Sequence, residues 1–201
     1  SSIVNSSGLT KTGAGILVLT GSNTFRPLSQ VSIFEGTMRI GGGNAIGDTS
    51  TVLIRSGATL DLNNSTETVG TLGAGNGTLA LGTGTLTVNQ TTAATSTVVF
   101  TGGNSSTLVK TGTSTLTYNG TSASFTGTLR IDQGQLLLSG NNANFTGVTA
   151  IILNGTGSLR NDQTNNVLGD RIKDTATITL NNTSSGEGLR LFNSDDGSRA
   201  E

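Results

Sequence analysis

The sequence predicts an all-β protein, a parallel β-helix in which short strands stack as successive coils. Three observations favour this fold. One line of sequence occurs twice, short apolar runs alternate with threonine, and clusters of Gly, Asn, Asp and Ser separate the runs. Repetition of this kind is typical of solenoids, whose units bury their apolar side only by stacking on their neighbours.

The duplicated line begins with Leu-Thr-Lys-Thr-Gly at residues 9–13 and with Leu-Val-Lys-Thr-Gly at residues 108–112, an offset of 108 − 9 = 99. Residues 31–40 are echoed by residues 129–138, an offset of 129 − 31 = 98. We therefore place the two copies near 9–62 and 108–140. Residues 1–201 are interpreted as one continuous solenoid segment, which we expect to be a fragment of a longer repeat protein.

The composition supports an ordered chain with a thin core. Only 11% of the 201 residues are charged and 3% are aromatic, and the formal net charge is −1. Disordered chains usually combine low hydrophobicity with high net charge, which this chain lacks. Since aromatic residues are so few, a core of stacked Val, Ile and Leu is expected. The near-neutral charge also argues against nucleic acid as a partner.

The predicted strands are short, and many bury alternate residues. In Thr85–Val88, for example, Leu86 and Val88 should face the core and the two threonines solvent. Asn165–Asp174 is the one helix-tolerant stretch. The fourteen predicted strands are Ile16–Leu19, Val31–Phe34, Thr37–Ile40, Thr51–Ile54, Thr59–Leu62, Thr78–Leu81, Thr85–Val88, Thr97–Phe100, Thr115–Tyr118, Thr128–Ile131, Gln135–Leu138, Val148–Leu153, Thr177–Leu180 and Gly188–Phe192.

Two other all-β architectures fit the sequence less well than the β-helix. Outer-membrane barrel strands need about 9–11 residues with an apolar row facing lipid, and these runs are shorter and rich in threonine. A tandem array of β-sandwiches remains an alternative, although no linker marks a boundary between modules. Many turn glycines with stacked aliphatic residues favour the solenoid.

The segment from Leu9 to Phe25 resembles the passenger-associated β-strand repeat of bacterial autotransporters, whose pattern is close to L-T-K-x-G-x-G-x-L-x-L-x-G-x-N-x-Y/F. Residues 35–40 resemble its second part, and residues 57–63 resemble a Gly-Ala-Thr-Leu-Asp-Leu-Asn line common in such passengers. The second copy departs from the pattern, because Ser114 replaces the second motif glycine and Phe125 shifts the aromatic position by one.

The resemblance implies a right-handed parallel β-helix that is exported and displayed outside the cell, on a bacterial outer membrane. In that family the repeat forms a stalk. Any attachment to the membrane is expected through a region outside this fragment.

Catalytic chemistry finds little support in the sequence. A Ser-His-Asp arrangement is excluded because the chain has no His. Lys11 and Lys110 occupy equivalent repeat positions, which favours a structural or solvated role over a Ser-Lys dyad. Glycoside hydrolysis needs two positioned carboxylates, and the acids are mostly isolated. The Asx-rich residues 161–166 and 193–198 do not match a calcium-binding loop. We therefore predict no enzyme, and no catalytic, cofactor or metal site.

The sequence-based functional hypothesis is a structural stalk or adhesive surface of an exported bacterial passenger. The expected partners are a receptor or glycan on a host surface or matrix, or neighbouring copies of the same chain. The alternative is a self-assembling extracellular filament or matrix protein, and the third hypothesis is a polysaccharide-processing β-helix enzyme. The sequence names no ligand.

Overall fold

The computed structural model describes residues 3–4, 6–42, 44–140, 143–162, 171–183 and 188–192. In these ranges the chain forms twenty strands and no helix. The described residues therefore contain no helix that could span a membrane. All strand pairs are parallel, and the strands form a β-solenoid. The predicted all-β parallel fold is confirmed.

Each complete coil passes through three faces. Face 1 comprises two consecutive sheets, because β11 of the second sheet lies beside β8 of the first. Its strands are β1 (Ser6–Lys11), β3 (Phe25–Ile33), β5 (Thr51–Ile54), β8 (Thr71–Leu72), β11 (Ala94–Ser96), β14 (Thr115–Tyr118), β16 (Gln135–Leu138), β18 (Ser158–Asp162) and β20 (Leu189–Phe192).

Faces 2 and 3 are each built around a single sheet. Face 2 contains β2 (Ile16–Leu19), β4 (Thr37–Ile40), β6 (Thr59–Asp61), β9 (Thr78–Ala80) and β12 (Val99–Thr101). Face 3 contains β7 (Thr66–Val69), β10 (Thr85–Asn89), β13 (Thr107–Thr111), β15 (Thr128–Ile131), β17 (Ala150–Gly155) and β19 (Thr177–Asn182).

The register of the ladders places equivalent positions of successive coils side by side. On face 1, Leu9 pairs with Val31, and Val31 pairs in turn with Val52. The side chains alternate as predicted, since Leu86 and Val88 are fully buried while Thr85 is half-buried on the outer side. The core is therefore a column of stacked aliphatic side chains.

An aromatic cluster fills the core where face 2 loses its regular strands. Beyond β12 this face continues through isolated bridges such as Gly102 with Phe125. The rings of Phe100, Tyr118, Phe125 and Phe145 are buried, with centroids 4.7–6.1 Å apart. Tyr118 Oη donates a 2.9 Å hydrogen bond to the carbonyl of Val98, which satisfies its buried hydroxyl.

The sequence missed six strands, namely β1, β7, β8, β11, β13 and β18. Among them, β7 and β13 carry a charged residue at an inward position, Glu67 and Lys110, and therefore do not show a wholly apolar buried face. Most of the helix-tolerant stretch Asn165–Asp174 lies outside the described residues.

Candidate functional site: the lysine corners

The repeated lysine lies at a corner of the solenoid in both copies. Lys11 is the last residue of β1 and is 7% exposed. Its Nζ donates to the carbonyl oxygens of Thr12 at 2.9 Å, Gly13 at 2.5 Å and Glu35 at 3.1 Å. The first two acceptors belong to the corner that follows Lys11, and the third belongs to the corner of the next coil.

The second copy reproduces this arrangement. Lys110 is 2% exposed, and its Nζ donates to the carbonyl oxygens of Thr111 at 2.8 Å, Gly112 at 2.8 Å and Gln133 at 3.0 Å. Burial lowers the pKa of Lys110 to about 8, so the ammonium form still predominates at neutral pH. An ammonium group has three donors and no acceptor, which matches three carbonyl oxygens.

Each lysine corner needs glycine in the coil above it. Gly36 and Gly134 have φ values of 64° and 67°, a left-handed conformation that side chains disfavour. A Cβ at Gly36 would lie 2.5 Å from the carbonyl oxygen of Gly15, and one at Gly134 would collide with that of Gly112. The two stacked corners therefore approach too closely for any other residue.

The structure also explains where the second copy departs from the first. Ser114 stands in place of Gly15, and a Cβ at Gly15 would meet no atom within 4 Å. A side chain is accommodated there, and Ser114 Oγ donates a 2.8 Å hydrogen bond to the carbonyl of Thr91. This glycine of the pattern is thus not required by packing.

A buried polar side chain follows each corner and ties neighbouring coils together. Asn23 Oδ1 accepts a hydrogen bond from the amide of Ile3, and its Nδ2 donates to the carbonyl of Ala45, both at 2.9 Å. Ser122, at the same repeat position (23 + 99 = 122), accepts a 2.8 Å bond from the amide of Phe100. Different residues thus satisfy inward-facing backbone groups at one structural position.

The two copies lie at different corners. Lys11 ends a strand of face 1 and precedes β2 of face 2, whereas Lys110 ends β13 of face 3 and precedes β14 of face 1. The separation between the two lysines is not a whole number of coils, which accounts for the change of face. The repeat therefore specifies a strand–corner–strand unit, without fixing the face on which it lies.

The family model of the passenger-associated-transport-repeat matches residues 9–43 and 108–138. The chain contains two passenger-associated transport repeats. The match covers both lysine corners and the glycines stacked over them, and it confirms the resemblance noted in the sequence. This repeat family implies an exported, surface-exposed protein. Neither the curated proteins nor the solved structures include a significant match to the chain.

Two of the acidic side chains form ion pairs with arginine. Asp61 pairs with Arg39 at 2.8 Å, and Asp132 pairs with Arg130 at 2.9 Å. No three acidic, His or Cys residues come together as a potential metal site in the part of the chain that the structure describes. The Asx-rich residues 193–198, and most of 161–166, lie outside that part.

Glu67 is a buried acid that the sequence did not single out as unusual. It is 1% exposed, and its carboxylate accepts hydrogen bonds from the amides of Ala45 at 2.9 Å and Ile46 at 3.2 Å. Burial raises the pKa of Glu67 to about 7, although these backbone hydrogen bonds act in the opposite direction. Glu67 thus joins β7 to the turn of the preceding coil.

The repeated threonines form an outward column on face 3. Thr66, Thr85, Thr107 and Thr128 are paired in successive strands, and Ala150 follows them. In the adjacent column, Thr68 and Thr87 are followed by Val109, which is only 2% exposed, and then by Arg130. Face 2 has a comparable column in Thr37, Thr59 and Thr78, and such columns fit cross-strand stabilisation between coils.

Proposed function

We propose that this segment is a non-catalytic structural stalk of an exported bacterial passenger. The observation that carries the proposal is the set of hydrogen bonds that the repeated lysine makes. Both copies direct its ammonium group to backbone carbonyls of the chain itself, so the most distinctive residue of the repeat stabilises the corner. A residue repeated for binding or catalysis would instead be expected to face solvent or a cleft.

The coil architecture supports the same proposal. Each coil contacts its neighbours through parallel ladders about 4.8 Å apart, so length grows in equal steps as coils are added. Such an element can hold a distal part of a protein away from a surface without any chemistry of its own. Asp61 and Asp132 are each paired with an arginine and Glu67 is buried, so none of these three acids belongs to an accessible carboxylate pair of the kind that glycoside hydrolysis needs.

A deletion of one complete coil tests the proposal. Removing residues 128–149 deletes β15 and β16, and it joins positions that occupy equivalent places in consecutive coils, because Thr128 pairs with Ala150. We expect the shortened chain to fold and to lose about 5 Å of length in small-angle X-ray scattering. The matched control removes only residues 128–138, which breaks the order of the faces and should prevent native folding.

Polysaccharide hydrolysis and surface display provide the functional tests. The stalk proposal expects no release of reducing sugar from neutral or acidic polysaccharides by the full chain. It also expects a bacterium carrying the whole passenger to retain surface display after the coil deletion. Hydrolysis by the full chain would overturn the non-catalytic proposal, and polymerisation of the purified chain would favour the filament alternative.

A further inference from the structure

The corner of the first repeat copy carries an open cleft that the stalk function does not use. It is lined by Ala14, Phe34, Glu35, Gly36, Ser56 and Gly57 and has a volume of about 410 Å³. This volume lies within the range of roughly 300–1,000 Å³ found for small-ligand sites. The lining comes from three successive coils, so the cleft exists only when these coils are stacked.

The most unusual residue of the cleft is Phe34. Phe34 is 40% exposed, whereas Phe100, Tyr118, Phe125 and Phe145 are buried. The guanidinium of Arg55 in the next coil lies 5.5 Å from the ring centroid, at cation–π distance. Arg55 forms no ion pair with a carboxylate of the described residues, so its remaining donors are available to a ligand.

The second repeat copy serves as an internal comparison. Asp132 stands there at the position of Phe34 (34 + 98 = 132), and Asn154 takes the place of Arg55 in the following coil. Asp132 accepts a 2.8 Å hydrogen bond from Asn154 Nδ2 and pairs with Arg130. The lysine corner is the same in both copies, so its construction does not require the exposed ring and the arginine.

We propose that this cleft is a binding site for a neutral oligosaccharide. The face of an aromatic ring carries negative potential and attracts the polarised C–H groups of a sugar ring. Arg55, which lies beside the Phe34 ring and outside the cleft lining, supplies donors for hydroxyl groups at the edge of the cleft. Glu35 supplies an acceptor beyond the Oε2 atom that accepts from the Gly13 amide at 3.0 Å. Glu35 and Arg55 carry opposite charges, so together they give no net preference for an anionic or a cationic ligand.

The same lining indicates binding without hydrolysis. Glu35 is the one carboxylate among the residues that line the cleft. Glycosidases commonly use two carboxyl groups on opposite sides of the scissile bond. The site would therefore hold a sugar chain against the corner of the solenoid. It goes beyond the stalk function and does not depend on it.

The test is a titration of the ¹⁵N-labelled chain followed by amide chemical shifts. The probes are the hexaoses of β-1,4-glucose, β-1,4-N-acetylglucosamine and α-1,4-glucose, with a hyaluronan hexasaccharide as the anionic comparison. We expect at least one neutral hexaose to give saturable shifts at Gly36, Ser56 and Gly57, with a Kd below about 10 mM. The amides of Gly112 and Gly134 in the second corner should not shift.

Single substitutions locate the site. Phe34→Ala and Arg55→Ala, both at exposed positions, should each raise the Kd at least about fivefold while leaving the remaining spectrum folded. Val18→Ala removes an exposed apolar side chain outside the cleft lining and should leave the Kd unchanged. The proposal is overturned if no neutral hexaose binds by about 10 mM, if Phe34→Ala has no effect, or if the hyaluronan probe binds more tightly. None of these results would bear on the stalk.

Discussion

Lys11 and Lys110 donate to the same three backbone positions of their respective corners, although one lies on face 1 and the other on face 3. The similarity extends to the glycine in the coil above, which has a positive φ in both copies. A unit that is reproduced on different faces owes its geometry to its own sequence. We infer that the geometry of this corner is the structural feature common to the two repeat copies.

Replacing the corner lysine should destabilise the solenoid. Lys110→Met keeps the apolar stem but leaves three carbonyl oxygens without their ammonium donor. We expect a loss of about 2–4 kcal/mol in the free energy of unfolding, measured by urea denaturation. Lys173→Met, at an exposed position, is the matched control and should change stability by less than about 0.5 kcal/mol. Equal effects of the two substitutions would contradict a structural role for Lys110.

The stability of the chain should decrease as the pH rises from mildly acidic to mildly alkaline, because Glu67 loses its proton. Its pKa is about 7 in the folded chain against 4.5 for the ordinary group, so the folded state binds the proton more tightly. The associated stabilisation is complete below pH 4.5 and is lost as the pH rises through about 7. It amounts to at most about 3 kcal/mol.

Urea denaturation at pH 5 and pH 8 measures this dependence. Glu67→Gln keeps the size of the side chain and removes the titration, so the difference in unfolding free energy between the two pH values should shrink in the variant. The comparison between the parent chain and the variant is the informative quantity, because it isolates the contribution of Glu67. A pH dependence that Glu67→Gln leaves unaltered would show that this carboxyl group is not responsible.

Charges introduced at inward and outward positions should have graded effects. Leu116→Asp places an unpaired charge at a position that is 3% exposed, and we expect a loss of about 4 kcal/mol or more. Leu17 is only half-buried on β2, which has a partner strand on one side, so Leu17→Asp should cost less. Thr85→Asp, on the outer side of β10, should cost least. Thermal unfolding of the three variants gives the order, and equal damage from all three would refute the assigned orientations.

Two glycines with similar backbone conformations allow the cost of backbone strain to be distinguished from the cost of a steric contact when each is replaced by alanine. Gly21 and Gly134 have φ values of 72° and 67°, but a Cβ at Gly21 would meet no atom within 4 Å. Gly21→Ala should therefore cost about 1–2 kcal/mol, the penalty for the left-handed conformation alone. Gly134→Ala adds a contact with the Gly112 carbonyl and should cost at least about 1 kcal/mol more. A larger effect at Gly21 would argue against the close stacking of the corners.

The sequence predicted the fold class and most strands because alternation of apolar residues with threonine reflects a half-buried strand directly. It could not reveal that Lys110 and Glu67 point inward, since a charged residue in a strand ordinarily indicates the solvent side. Pairing between coils also depends on contacts between residues that lie a full coil apart in the sequence. For this reason the sequence identified Lys11 and Lys110 as equivalent but did not identify their carbonyl partners.

The cleft at Phe34 was missed for a related reason. Phe34 was assigned to a strand ending one residue later than the observed β3, so its exposure at the corner was not expected. Arg55 belongs to the next coil and meets Phe34 only because consecutive coils stack. The difference between the two copies at this position, Phe34 against Asp132, was the signal in the sequence that could have indicated the site.

Competitive acetylation of the three lysines under native conditions tests the central claim most directly. At pH 8 about half of Lys110 is expected to be neutral because its pKa is about 8, so the amine would be reactive if it were accessible. The corner structure predicts instead that Lys11 and Lys110 react at least about tenfold more slowly than exposed Lys173, and that unfolding removes the difference. Native labelling of Lys110 as fast as that of Lys173 would contradict the buried lysine corner.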